Sequence, residues 1–388
     1  MELIPDAVPS TLRKINIRGT LELLKLHGEC SRADLTRMLG VSAPTMSKLL
    51  DKLLQDKFIE EFTVDPVGKG RPSKMYRLAE KSVFIAGVVI DIIECRAVCA
   101  GLDGKFRPSG VINFSTPGTY GEMLNLIAGY VKESAAGHSG SCLGVGVSVP
   151  GLINSHGHIE LSPNIPMLNG RNIHNDLRKM LDCKVCVVQE EYGMCMAERQ
   201  FGSSASCPDF VLVDISSGMG MGVFCGNRYV HGSHGFGGEL GHITVKPDGP
   251  LCSCGNYGCL EMLAGDKAIA GKLSEKLGRE VKCRDLIRVV REEGLDVSAE
   301  LEEAIYYLSI GIANVINLFN PSRVVIHGSM FDLDKESFSR LKRTVKRRAL
   351  PPAFATCAIQ RSKLIKIHGA IAAICAGIFE STGPQIDR

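Results

Sequence analysis

The sequence lacks any uninterrupted run of about 18 apolar residues, so no segment is long enough to cross a membrane as a helix. The best candidate, residues 83–93, is short and contains Asp91. The first ten residues, MELIPDAVPS, lack the basic and then apolar pattern of a secretion signal. We therefore expect a cytoplasmic protein that makes no membrane contact.

The chain also has little net charge, +3, and an odd number of cysteines, 15. An odd count in a chain of 388 residues argues against a disulfide scaffold and favours buried free thiols in a reducing compartment. The 45% of apolar and 22% of charged residues exclude a disordered or fibrous chain. The length suggests two or three domains.

The charge is distributed unevenly along the chain. Of the 45 basic and 42 acidic residues, 14 and 11 lie in residues 1–81, which leaves 31 of each in the rest. The whole formal excess therefore lies in the first fifth of the sequence. A modestly basic N-terminal module is compatible with nucleic-acid binding.

This module has the pattern of a helix-turn-helix. An amphipathic helix is predicted over residues 12–26. A second, short helix is predicted from the capping sequence at Ser31, and after a turn at Gly40 a third helix is capped by Ser42. The expected core side of the third helix is Met46, Leu50, Leu53 and Leu54. Its other side carries small polar and basic residues, as a helix in the major groove requires. The alternative is that the module is a small helical docking module that binds no DNA. The residues expected to contact DNA are Thr45, Ser47, Lys48 and Lys52.

Two strand-like segments follow, residues 58–62 and 75–78, and the loop between them contains GKGRPSK. Glycine removes bulk, proline keeps the chain extended, and arginine favours the negative potential of a narrow minor groove. Lys69 and Arg71 are therefore expected to contact DNA, unless the loop is merely a flexible hairpin tip. Together the features predict a winged helix-turn-helix over residues 1–81.

From residue 83 onward, strand-like runs alternate with helical stretches, a pattern typical of α/β proteins. Neither GxxxxGK[ST] nor GxGxxG occurs, so both standard nucleotide-binding loops are missing. Residues 216–222, SSGMGMG, follow a predicted strand. They form either a phosphate-binding loop or a purely structural turn.

The strongest local signal is the block GELGHITVKPDGPLCSCGNYGCLE, residues 238–261. Its His and three Cys follow the spacing H-x9-C-x-C-x4-C, which is not that of a zinc finger. One imidazole and three thiolates complete a tetrahedral zinc shell and leave no open position, so the predicted zinc is structural. The predicted ligands are His242, Cys252, Cys254 and Cys259.

Two carboxylates flank this predicted metal site. Glu239 lies three residues before His242, and Glu261 lies two residues after Cys259. A bound metal would fix both carboxylates near the imidazole, whose other nitrogen is left for a hydrogen bond. Fixed carboxylates and an imidazole are suited to binding the vicinal hydroxyls of a sugar.

The block resembles a fingerprint of the ROK family (repressor, open reading frame, kinase), and residues 149–151, VPG, and 162–166, SPNIP, are similar to family segments that border the sugar. The resemblance covers nearly the whole chain. It implies an α/β two-lobed actin-like ATPase (ribonuclease H-like) fold with the sugar in the cleft between the lobes. The winged helix-turn-helix is typical of the repressor branch. The sugar contacts that the resemblance implies are Gly151, Asn164, Glu239, His242 and Glu261.

The sequence departs from the family's kinases where they bind ATP. Their D-x-G-G-T-K loop corresponds here to residues 89–94, VIDIIE, whose acids would repel a triphosphate. Their Asn-Asp pair, which supplies the catalytic base, corresponds to Gln189 and Glu190, and a further glycine segment survives only as residues 327–329. Glu190 is therefore a degenerate base position. We expect no catalytic residue and no ATP, and Glu190 remains a candidate ligand-binding residue.

The sequence thus predicts a sugar-responsive DNA-binding transcriptional regulator, most simply a repressor and not an enzyme. Its predicted partners are double-stranded operator DNA and a sugar or sugar-phosphate effector, and the resemblance implies a homodimer or homotetramer. The alternative is an ATP-dependent ROK sugar kinase with an added DNA-binding domain. The expected domains are the winged helix-turn-helix at 1–81, a first lobe at 82–200 with 368–388, and a second lobe with the zinc at 201–367.

Overall fold

The computed structural model describes residues 9–64, 73–80, 82–137, 140–216 and 218–381. The N-terminal region contains three helices and a small antiparallel sheet with the strand order β1-β3-β2. Its elements are α1 (Pro9–His27), β1 (Cys30–Ser31), α2 (Arg32–Leu39), α3 (Ala43–Gln55), β2 (Ile59–Val64) and β3 (Ser73–Leu78).

Side-chain caps fix the ends of these helices, as the sequence predicts. The Ser31 hydroxyl accepts a hydrogen bond from the backbone N–H of Asp34 at 3.1 Å, and Ser42 does the same for Thr45 at 3.3 Å. Gly40 ends α2 in the left-handed conformation, with φ 71°. A turn of residues 40–42 therefore joins α2 to α3.

The side of α3 that faces the core is formed by Met46, Leu49, Leu50 and Leu53, all buried. The predicted core side was wrong at one position, because Leu54 is only half-buried and Leu49 lies in its place. Residues 46, 49, 50 and 53 repeat at the helical period and so share one face. Lys48 is exposed.

The rest of the chain alternates strands and helices, as predicted. Its first part contains β4 (Val83–Val89), β5 (Glu94–Ala100), β6 (Ile112–Ser115), α4 (Tyr120–Gly137), β7 (Ser141–Val149), β8 (Leu152–Ile153), β9 (Ile159–Leu161), α5 (Ile173–Met180), β10 (Lys184–Gln189) and α6 (Glu190–Gln200). Its second part contains β11 (Phe210–Ile215), β12 (Met219–Cys225), β13 (Arg228–Tyr229), α7 (Asp266–Leu277), α8 (Leu286–Glu292), α9 (Ser298–Phe319), β14 (Arg323–Gly328), α10 (Ser337–Arg348), α11 (Pro351–Ala355), β15 (Ala358–Arg361) and α12 (Lys366–Ser381).

Two five-stranded mixed sheets organise these elements. The first has the order β10-β7-β4-β5-β6, with β4 parallel to β7 and antiparallel to β5. The second has the order β13-β12-β11-β14-β15, with β11 parallel to β14 and antiparallel to β12. Such mixed sheets with helical connections define an α/β protein.

The chain divides into two compact units. Among the described residues, the first unit contains those up to Pro150, Met167–Val188 and those from Ala370 onward, and the second contains Gly151–Pro166 and Gln189–Gly369. The expected lobes placed residues 151–166, 189–200 and 368–369 in the first lobe instead. The grouping of α6 with the second unit has a physical reason. Its buried side chains Met194 and Cys195 form one apolar cluster with Phe210 and Leu212 of β11.

In the described part of the chain, no helix combines the length and the apolarity that a membrane crossing requires. All fifteen cysteines are free thiols. Cys195 and Cys375 are buried, as expected for such thiols, whereas Cys225 is exposed.

Candidate functional site

The predicted metal ligands come together in a compact knot of the second unit, between β13 and α7. His242 ends a short 3-10 turn, and an isolated bridge pairs Thr244 with Cys259. Gly258 has φ 64°, and a Cβ there would collide with the carbonyl oxygen of Lys246. Only glycine therefore fits this turn, which brings the two ends of the knot together.

The four donor atoms of His242, Cys252, Cys254 and Cys259 all lie within 4.8 Å of one another. The Sγ atoms of Cys254 and Cys259 are 3.7 Å apart, and Cys252 Sγ is 3.6 Å from His242 Nδ1. A tetrahedral zinc with Zn–S of about 2.3 Å and Zn–N of about 2.1 Å requires separations of about 3.8 and 3.6 Å. The donor set and these spacings fit a closed metal site.

The surroundings of two of the three thiols favour the protonated form, whereas a hydrogen bond from the backbone N–H of Asn256 lowers the pKa of Cys254. Burial raises the pKa of Cys259 to about 12 and also raises the pKa of Cys252. Buried thiols of this kind stay protonated unless a positive ion stabilises the thiolates.

The two flanking carboxylates lie on either side of the His242 ring. Glu239 Oε2 is 3.8 Å from His242 Nε2, whereas Glu261 Oε1 is 3.9 Å from Nδ1 and accepts a hydrogen bond from the Cys252 thiol at 3.2 Å. The Glu239 side chain is 39% exposed and that of Glu261 is 13% exposed. Burial raises the pKa of Glu239, although His242 opposes this shift. Glu239 and His242 Nε2 thus form the more accessible side of the knot.

Glu190, which the sequence predicts to be a degenerate base position, is the first residue of α6 and is buried. Both of its carboxylate oxygens accept hydrogen bonds from Lys366 Nζ, at 3.1 and 3.0 Å. Lys366 was not predicted from the sequence. It is the first residue of α12 and directly precedes an apolar helical run, where a lysine is rarely buried without a partner. That position was the signal available in the sequence.

The Lys366 ammonium group also lies 3.8 Å from Asp214 Oδ2, and Asp214 Oδ1 is 2.6 Å from His327 Nδ1. Burial on its own would raise the pKa of Asp214, but the Lys366 charge and the His327 hydrogen bond outweigh burial and lower it. Burial raises the pKa of Glu191 to about 8, helped by the charges of Glu190, Asp214 and, more weakly, Glu239. A buried network of acids around one lysine therefore adjoins the knot.

The glycine-rich segment at residues 216–222 turns between β11 and β12; Ser217 lies outside the described residues. A Cβ on Gly220 would lie 2.5 Å from Glu191 Oε1, and a Cβ on Gly222 would collide with Cys195 Sγ. These glycines allow α6 to pack closely on β12, which favours the structural interpretation of the turn. In the surviving glycine segment, His327 pairs with Asp214 and Ser329 donates a hydrogen bond to Asp266.

The remaining predicted ligand residues lie elsewhere in the second unit. Gly151 has φ 112°, and a side chain there would collide with the carbonyl oxygen of Leu161. Asn164 is exposed in the segment after β9. Among the contacts found for the described residues, none joins either residue to the knot. In the first unit, Asp91 accepts a hydrogen bond from the N–H of Ile92 at 2.7 Å.

The residues predicted to contact DNA differ in their exposure and in their ion pairs. Lys48 is exposed, whereas Lys52 forms an ion pair with Asp56 at 2.6 Å. Thr45 and Ser47 are half-buried on α3. Lys69 and Arg71 lie outside the described residues.

The structure adds basic residues beside α3 that the sequence analysis missed. Arg32 donates a hydrogen bond to the Ser47 hydroxyl at 3.2 Å. Arg32, Arg37 and Lys74 line a recess of about 570 Å³ between α2, the start of α3 and β3. Arg32 and Arg37 were visible in the sequence as the only basic residues of α2.

The protein consists of two α/β units, and the second contains a Cys₃His knot flanked by two carboxylates. This combination is the one for which the sequence resembles the ROK family, and comparison with known proteins gives the same family. The chain belongs to the ROK family, which matches residues 94–375. The xylose repressor of Bacillus subtilis is 27% identical to this chain, in an alignment that covers 83% of this chain and 84% of the repressor. The DNA-binding transcriptional dual regulator NagC of Escherichia coli is 25% identical to this chain, in an alignment that covers 91% of this chain and 90% of NagC.

Solved structures show the same fold. A ROK family transcriptional regulator, a homologue of the E. coli Mlc protein, matches with a TM-score of 0.79 and 24% identity over 96% of this chain and 99% of its own. The ROK hexokinase from Thermus thermophilus matches with a TM-score of 0.64 and 25% identity, and the match covers 77% of this chain and 100% of the hexokinase. The two-lobed α/β fold is therefore established, and the regulator matches more of this chain than the hexokinase does.

Proposed function

We propose that this protein is a sugar-responsive DNA-binding transcriptional repressor that has lost phosphoryl transfer. The observation that carries the proposal is the ion pair between Lys366 and Glu190. A general base must accept the proton of a substrate hydroxyl, and here both oxygens of the carboxylate already accept hydrogen bonds from an internal cation. The named xylose and N-acetylglucosamine repressors among the relatives support the same conclusion.

The N-terminal residues form, in this proposal, a winged helix-turn-helix that binds operator DNA. The succession of α2, a three-residue turn and α3, followed by the β2–β3 hairpin, supports it. Lys48 on α3 and Arg32 of the neighbouring recess supply cations for phosphates, whereas Arg37 is paired with Asp34 at 2.7 Å. Thr45 and Ser47 supply small hydroxyl groups for base edges.

The knot holds a structural zinc ion in this proposal. Four protein donors complete a tetrahedral shell, so no position is left for water or substrate. His242 would hold the zinc through Nδ1, which lies beside Cys252 Sγ, and its Nε2 would stay directed towards Glu239. The zinc supplies no chemistry beyond this rigidity.

The sugar is bound by Glu239, His242 and Glu261 through its hydroxyl groups. Two carboxylates offer several acceptors, and a missing hydroxyl would leave a partly buried carboxylate without a partner. The effector alters DNA affinity because it binds two conformations of the protein unequally. The expected assembly is a homodimer or homotetramer.

A thermal-shift screen of sugars and sugar phosphates, run beside an ATP-dependent phosphorylation assay of the same compounds, tests the proposal. A binding sugar raises the melting temperature of the native protein. We expect such a rise, release from operator DNA and no phosphorylated product. Turnover of ATP that Glu190→Gln abolishes would establish the kinase alternative.

A pair of matched variants locates the sugar site. Glu239→Gln removes one charged acceptor and should weaken sugar binding roughly 10- to 100-fold. Glu275→Gln makes the same change on the exposed side of α7 and should leave the binding unchanged. Equal affinities for all three proteins would place the sugar site elsewhere.

A further inference from the structure

The outer face of α10 in the second unit is strongly basic. This helix carries six basic residues and no acidic residue, in a body whose formal charge beyond residue 81 is zero. Leu341 and Val345 bury the opposite side of the helix. Arg348 is exposed but donates a hydrogen bond to the Ser309 hydroxyl and lies over the Tyr306 ring. We call the other four exposed cations of the helix the α10 surface: Lys342, Arg343, Lys346 and Arg347.

The α10 surface has no internal counterpart. Among the ion pairs found in the described ranges, none joins one of its four cations to a carboxylate; Arg347 donates only to the Thr344 hydroxyl, at 3.5 Å. Asp334, shortly before α10, already pairs with Arg340. Glu336, which directly precedes the helix, is exposed and is joined to none of the four cations by the ion pairs found in those ranges. The four cations are therefore open to water and available to an anion from outside the unit.

The electrostatics of the helix itself does not explain the whole surface. Cations in the last turn stabilise the negative end of a helix dipole, which accounts for Lys346 and Arg347. Lys342 and Arg343 lie a turn earlier, where that effect has faded. The cations form two rows, 342 with 346 and 343 with 347, each about 6 Å long.

We infer that the α10 surface is a second, sequence-independent DNA-contacting surface that binds the phosphates of duplex DNA. This inference rests on the proposed function, which brings the chain to DNA. Duplex DNA carries one negative charge per about 1.7 Å of its axis, a density that a double row of lysines and arginines complements. Phosphate contacts carry no base information, so the surface adds affinity without changing sequence preference.

The test uses the full-length protein and the variant K342Q/R343Q/K346Q/R347Q. Affinity is measured as a function of salt for an operator duplex selected from a randomised library and for a mixed-sequence duplex. Each lost phosphate contact removes about 0.9 from the slope of log K against log salt, so we expect the slope to become shallower by roughly 2 to 4. The ratio of operator to mixed-sequence affinity should stay the same.

Two control proteins separate charge from folding. K342R/R343K/K346R/R347K keeps every charge and should retain the wild-type slope. K282Q/R284Q/R288Q/R291Q removes the same total charge from the α8 region and should leave the slope nearly unchanged. The melting temperature and the sugar response of each protein report whether the second unit is intact.

The outcomes are distinct. A wild-type slope for the α10 glutamine variant, with operator binding retained, would overturn the inference and leave the proposed function standing. Binding of an acidic protein or an anionic vesicle that needs the α10 surface, with unchanged DNA binding, would assign the surface to another partner and overturn it too. A wild-type chain that binds neither duplex would overturn the proposed function itself.

Discussion

Lys366 donates hydrogen bonds to both carboxylate oxygens of Glu190, although the two residues are 176 positions apart in the sequence. Their side chains are 8% and 10% exposed. A buried pair of this kind holds both partners in one place, because breaking it leaves a charge without compensation. In the proposed function, Glu190 stands where the family's kinases carry their catalytic base, and the pair holds this carboxylate in the scaffold, away from a substrate hydroxyl.

Breaking this pair from one side should be costly. Lys366→Met leaves Glu190 buried without its cation, and we expect a loss of about 3–5 kcal/mol in the free energy of unfolding. The double variant Lys366→Met/Glu190→Gln removes both charges and should regain most of that loss. Urea unfolding of the wild type, both single variants and the double variant measures the coupling. Additive losses would mean that the two residues do not interact.

Glu191 should make the stability fall as pH rises. Burial raises its folded pKa from 4.5 to about 8, so its contribution is greatest at low pH and is lost between about pH 4.5 and pH 8. Glu191→Gln keeps the shape without the charge and should be more stable than the wild type at the upper end of this range, by on the order of 4 kcal/mol. At the lower end the two proteins should be alike. Parallel stability curves across the range would contradict the assignment of this shift to Glu191.

The caps, the helical periods and the knot were predictable because each depends on residues close together in sequence. Ser31, Ser42 and Gly40 act within one turn, and the His and three Cys of the knot lie within 18 residues. Local spacing therefore decided these features. The wrong prediction at Leu54 is also local. Successive residues of an α-helix are about 100° apart around its axis, so a small error in the predicted direction of the core exchanges one leucine for another.

The buried acid network was not predictable in the same way. Glu190, Asp214, His327 and Lys366 lie on four different elements and meet only through the packing of the second unit. The assignment of α6 to this unit has the same origin, because Met194 and Cys195 pack on β11. Side chains that only tertiary packing brings together show no characteristic spacing in the sequence.

Removal of one thiol should release the metal. Cys254→Ser takes away one of four donors, and because the binding free energy of a structural zinc is folding free energy, the second unit should lose stability with it. We expect less than half the wild-type metal content and a melting temperature lower by on the order of 10 °C, measured by elemental analysis and thermal unfolding. Cys225→Ser, which replaces an exposed thiol outside the knot, is the matched control. A wild-type protein purified without metal would contradict the zinc assignment directly.

Two lysines of the same helix should differ in their effect on DNA binding. Lys48 is exposed and carries no ion pair among the described contacts, whereas Lys52 is already neutralised by Asp56 at 2.6 Å. If Lys48 binds a phosphate, Lys48→Ala should reduce the salt slope of operator binding by about 0.9, and Lys52→Ala should reduce it less. Lys132→Ala, on α4, removes the same charge at a distance in sequence from α3 and serves as the reference. Salt titrations of operator affinity for the three variants measure the difference, and an unchanged slope for Lys48→Ala would remove α3 from the DNA interface.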